Sequence, residues 1–149
     1  MAVTQQLARL PPALLERCRG DVTALGDLVS FLLVPEQSYL DLHWAPAPLE
    51  KIVGNAGDEA GAAALRLACE GARPVNRGFP DFEVYEPPRE LDAGEVRATS
   101  AALARIEFQP IARAAGGYTA EDLSQFLRAL CAFYAAAAAA NEAVIVWWD

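Results

Sequence analysis

The sequence predicts an α/β fold in a single domain spanning residues 1–149: a small mixed sheet covered by helices on both faces, a three-layer sandwich with its C-terminal strand buried. Three observations carry this expectation. Ala143-Val144-Ile145-Val146-Trp147-Trp148 is apolar at every position and rich in β-branched and aromatic residues, as a strand covered on both faces must be. Val144, Val146 and Trp148 then face one way and Ala143, Ile145 and Trp147 the other. Just upstream, Leu123, Phe126, Leu127, Leu130 and Tyr134 recur every three or four residues, the spacing of a helix that buries one stripe. Finally, 149 residues of which 54% are apolar suffice for one sizeable core.

The elements follow in order. Ala2 to Leu10 is a weakly patterned first strand, and Pro11 and Pro12 suit the first turn of a helix carrying Leu14, Leu15 and Cys18 up to Gly20. Asp21 caps a second helix, with Leu25, Leu28, Val29 and Leu32 at helical spacing until Pro35 forbids continuation. A short strand or turn is expected at residues 39–43, then a helix start at Pro48. Gly54, Gly57 and Gly61 read as a loop ahead of an alanine-rich helix from Ala62 to Cys69, closed by Gly71. The loop lacks the lysine and spacing of a phosphate-binding loop.

Phe82 to Tyr85 alternates as a strand and stops at Pro87-Pro88. Asp92 with Glu95, and Thr119 with Asp122, carry the reciprocal capping signature of two further helices. The first bears Val96, Ser100, Leu103 and Ile106 as its stripe. The second ends in six consecutive alanines, Ala135 to Ala140, strong helix formers small enough for close packing.

Charge and cysteine usage limit the function classes. Twenty acidic against twelve basic residues give a net charge of -8, which repels a phosphate backbone, so no nucleic-acid partner is expected. No stretch has the length and apolarity of a membrane span or an export signal, so neither membrane association nor secretion is expected. Cys18, Cys69 and Cys131 are far apart and lack zinc or redox spacing; they read as reduced core thiols in a cytoplasmic protein without metal or cofactor.

The order Leu40-Asp41-Leu42, then Leu49-Glu50-Lys51-Ile52-Val53-Gly54, then Leu91-Asp92-Ala93-Gly94-Glu95-Val96, then a long helix with Phe133-Tyr134 before an apolar strand, resembles the YfbM-like family of uncharacterised bacterial proteins. The chain departs from that pattern at His43-Trp44-Ala45-Pro46, where the tryptophan is displaced. The resemblance implies an α/β sandwich and no established activity or functional residue.

Two candidate sites emerge. Residues 81–95 hold Asp81, Glu83, Glu86, Glu90, Asp92 and Glu95 against Arg89 alone, an acidic run that is either a solvated face or a patch for a basic protein partner. Arg89 reads as a neutralising neighbour within it. His43 is the single histidine; Asp41, two residues earlier, shares its face on a strand and is able to orient the imidazole as a general base. No nucleophile motif or second histidine completes a catalytic set. The leading expectation is therefore a non-enzymatic protein-binding domain of immunity type, using Asp81, Glu83, Glu86, Arg89, Glu90 and Asp92. The alternative is a small hydrolase or ligand-binding enzyme using Asp41 and His43.

Overall fold

The computed structural model describes residues 4–80, 86–111 and 117–149. Five strands form one sheet: β1 (Gln5–Leu10), β2 (Tyr39–His43), β3 (Arg73–Pro74), β4 (Arg89–Leu91) and β5 (Ala143–Trp148), in the order β2-β1-β5-β4-β3. Every pairing is antiparallel. The α/β class, the helical cover on both faces and the buried C-terminal strand are as expected, whereas the mixed strand direction is corrected. Among the described residues, two α-helices separate β1 from β2, and two separate β4 from β5. A pair of helices returns the chain to the end of the sheet it left, so the strand that follows runs antiparallel.

One layer consists of α1 (Pro12–Gly20) and α2 (Val22–Val29), and the other of α3 (Pro46–Asn55), α4 (Glu59–Glu70), α5 (Ala93–Leu103) and α6 (Ala120–Ala139). The alternation of β5 divides the core between them. Val144 and Val146 join Leu7, Leu42, Leu91 and the α3–α6 helices, while Ala143, Ile145 and Trp147 join Ala8, Leu10 and the α1–α2 pair. The five residues from Ala143 to Trp147 are all buried.

Local chemistry explains the boundaries. α1 opens on a proline, and α2 is capped by the Asp21 carboxylate, which accepts from the Thr23 N–H at 2.8 Å. α2 ends at Val29, well before Pro35. The N–H of Phe31 donates to the Leu28 carbonyl and that of Leu32 to Asp27, the paired bonds of a Schellman cap, with Phe31 at φ +63° in the position that favours glycine. α6 ends in the same manner at Asn141, φ +54°.

The expected glycine-rich loop is corrected to a short turn. Gly54 lies within α3 and Gly61 within α4; the chain turns at Gly57 (φ +90°), and the Asp58 carboxylate caps α4 through the Gly61 N–H at 2.8 Å. Both reciprocal capping boxes form, Asp92 with Glu95 and Thr119 with Asp122. Of the alanine run only Ala137 is fully buried, so the stretch sustains the helix more than it packs it. The strand expected at residues 82–85 lies outside the described residues; two unanticipated strands, β3 and β4, flank that segment.

Candidate functional site

The acidic run is dispersed by the fold. Asp81 and Glu83 lie outside the described residues, and Glu86 is exposed. Glu90 belongs to no face. On β4 it stands opposite Ile145, so its side chain points under α1, where it is 1% exposed. Arg19 of α1 donates from Nε to both Glu90 oxygens, at 3.1 and 3.0 Å, and also from Nη2; Arg73, its cross-strand neighbour on β3, donates to Oε1 at 3.1 Å. Charge-assisted bonds from two guanidinium groups compensate the desolvation of the carboxylate. Arg73 also reaches Glu95 at 2.7 Å, and Arg19 reaches Glu16, which extends the network to both helical layers.

Asp92 works as a helix cap. Its carboxylate accepts from the Glu95 N–H at 2.8 Å, and that bond holds its pKa below the usual carboxylate value. Arg89, expected to neutralise acidic neighbours, instead donates to the Glu70 carbonyl at 2.9 Å and the Ala72 carbonyl at 3.0 Å, satisfying acceptors at the C-terminal end of α4. Of the six residues expected to form a binding face, Glu86 is thus the described carboxylate free of a structural role.

Asp41 and His43 do come together, through the backbone. The Asp41 Oδ1 accepts from the His43 N–H at 2.7 Å, while the imidazole Nδ1 stands 4.0 Å away, beyond hydrogen-bond reach. His43 has φ +51°, which turns its ring out of the strand alternation and edge-on to Phe126, with ring centres 5.6 Å apart. The carboxylate shapes a turn and does not orient a base. Trp44 follows, exposed, with its N–H donating to the Tyr118 hydroxyl at 3.0 Å.

Across the other face of β2 lies an open groove of about 630 Å³ lined by Gln6, Phe31, Glu36, Tyr39 and Asp41. Its wall is an aromatic cluster. The Phe31 ring is 5.0 Å from Tyr39 and 5.8 Å from Trp147, and Tyr39 is anchored by donating its hydroxyl to the Leu28 carbonyl at 3.1 Å. Neither Glu36 nor Asp41 has an arginine or lysine within 4.0 Å among the described residues. Sequence reasoning passed over Phe31 and Glu36 because the Schellman turn, which swings Phe31 back toward the sheet, has no glycine to announce it.

A second cavity, of about 370 Å³, opens at the end of the sheet between Gln5, Glu70, Glu86, Arg89 and Trp148. Gln5 donates from Nε2 to the Trp147 carbonyl at 3.1 Å, leaving its buried Oε1 without a partner among the described residues. The three cysteines are free. Burial pushes the Cys18 thiol up to about 11 and Cys69 up to about 12, so both are protonated packing groups and not nucleophiles. Among the described residues no group of three or more histidine, cysteine or acidic side chains is placed to hold a metal, and no helix is long and apolar enough to cross a membrane. No family model, curated protein or solved structure matches this chain.

Proposed function

We propose that this domain is a non-enzymatic binding module that docks a basic protein, an immunity-type role in which a carboxylate-rich surface covers its partner. The observation that supports this reading is a set of exposed carboxylates left outside the ion pairs of the described residues, even though Arg17, Lys51, Arg77 and Arg105 are exposed and outside them as well. Arg9 is paired with Glu142, Arg66 with Glu50, and Arg19 and Arg73 with Glu90; Arg89 is bonded to carbonyls, and Arg128 lies over the Phe108 ring. Exposed Glu36, Asp41, Glu70 and Glu86 have no arginine or lysine partner among the described residues. With a net charge of -8, such carboxylates steer a cationic partner and set the salt dependence of association.

Affinity capture from a native lysate at low salt, followed by a binding isotherm of the purified captured protein, tests the proposal. The expected result is a basic protein whose affinity falls as salt is raised and falls again when Glu36, Asp41 and Glu86 are changed together to lysine. A captured partner indifferent to both, or none captured, overturns it.

A further inference from the structure

We infer that the groove between Phe31, Glu36, Tyr39 and Asp41 is the seat of one arginine or lysine side chain of the basic partner; the inference rests on the binding-module reading and names its contact point. Two features of the groove converge on a cationic side chain. Its two carboxylates, from the 3-10 turn at Glu36–Ser38 and from β2, are exposed and lack an arginine or lysine partner among the described residues. Its wall is aromatic, with Phe31 43% exposed although it packs against both Tyr39 and Trp147. A guanidinium or ammonium group over such rings gains from their quadrupoles, and more so with carboxylates beside it.

Beneath the aromatic wall the core continues. Trp147 is the cross-strand neighbour of Gln6, and its ring centre is 6.2 Å from that of Tyr39; it is 2% exposed, and its indole Nε1–H has no acceptor among the described residues. Gln6 is itself 6% exposed, and its Nε2 is engaged with the Thr4 hydroxyl at 2.8 Å. A buried donor without an acceptor is uncommon in a native fold. The acidic and aromatic groups therefore select a basic side chain.

The experiment is a titration of the uniformly 15N-labelled full chain with acetyl-tetraarginine amide, using acetyl-tetraglutamate amide as the control, read from backbone and indole N–H signals. The Trp147 indole signal is assigned by comparison with Trp147→Phe. The expected result is a saturable shift of the Trp147 indole and of the Phe31 and Tyr39 amides with the arginine peptide alone. Its apparent Kd rises by about tenfold in Glu36→Gln/Asp41→Asn, in which the Asn oxygen still serves the turn at His43. Glu36→Gln alone, at an exposed position outside any described ion pair, is the control for folding and carries an intermediate effect.

Shifts confined to the cavity beside Glu70 and Glu86, equal affinity for the double variant, or no saturable shift would each overturn the inference. A captured partner that binds the wild type and the double variant equally overturns the groove assignment and leaves the binding-module reading standing. Peptide binding at the groove with no basic partner captured removes that reading alone.

Discussion

Removing Arg19 should destabilise the fold more than removing the charge of the residue it serves. Glu90 is 1% exposed, whereas the side chains of Arg19 and Arg73 are 35% and 46% exposed. In Glu90→Gln the two guanidinium groups left behind turn toward water, keeping Glu16 and Glu95 as partners, and the neutral amide retains the shape of the site. The loss is that of charge-assisted bonds, about 1.5 kcal/mol. Arg19→Ala instead leaves a buried carboxylate with Arg73 alone, and stranding a buried charge costs about 3 kcal/mol. The double variant Arg19→Ala/Glu90→Gln should then be more stable than Arg19→Ala. Urea unfolding followed by circular dichroism reads these differences as midpoint shifts of about 1 M for Glu90→Gln and about 2 M for Arg19→Ala, for a slope near 1.5 kcal/mol/M that is the same in all variants. The argument is refuted if Glu90→Gln costs as much as Arg19→Ala, or if the second substitution adds to the first.

Three further outcomes are expected. Ile145→Asp places a charge at a fully buried position of β5 between the two helical layers; its desolvation, several kcal/mol, is comparable to a domain's whole stability, and a normal melting transition would remove the buried-strand assignment. Gly71→Ala should lower stability by about 2 kcal/mol, because φ is +73° and the added Cβ would stand 2.8 Å from the Arg89 Cβ; an unchanged Tm would contradict the closeness of that approach. Thiol protonation gives a pH signature. With Cys18 raised from 9.0 to about 11 and Cys69 to about 12, the unfolded chain loses these protons first. The stabilisation is therefore complete below pH 9 and declines as the pH rises through the folded values. Denaturant midpoints between pH 8 and 10 should fall in the wild type and fall less in Cys18→Ala/Cys69→Ala.

What the sequence makes legible is local. The alternation of Val144 to Trp147, the capping pairs Asp92–Glu95 and Thr119–Asp122, and the arrest of α4 at Gly71 depend on residues a few positions apart, and each has the expected form. Charge is different. Glu90 looks identical to its acidic neighbours in the sequence, and its burial is decided by Arg19, 71 residues away, and by Arg73 across a two-residue strand. The role of Arg89 is equally hidden, since its acceptors are backbone carbonyls freed only when α4 ends. The aromatic groove unites Phe31, Tyr39 and Trp147 through a helix cap that Phe31 adopts in place of the usual glycine. The Asp41–His43 pair shows the converse: the two residues are adjacent as the spacing requires, but a positive φ at His43 cancels the alternation on which a shared catalytic face depends.

The central position of β5 has a consequence for how the chain reaches this state. β1 pairs along its length with β5, from Gln5 opposite Trp148 to Leu10 opposite Ala143, and the Thr4 N–H meets the Asp149 carbonyl at 2.7 Å. During synthesis β1 emerges long before the strand that must lie beside it, and β4 waits for the same neighbour. Until Ala143–Trp148 leaves the ribosome, the sheet exists as two disconnected halves, each with an unfilled edge. The distant closure predicts slow folding for a chain so rich in helix, and a nascent chain halted before β5 should engage chaperones rather than begin to fold.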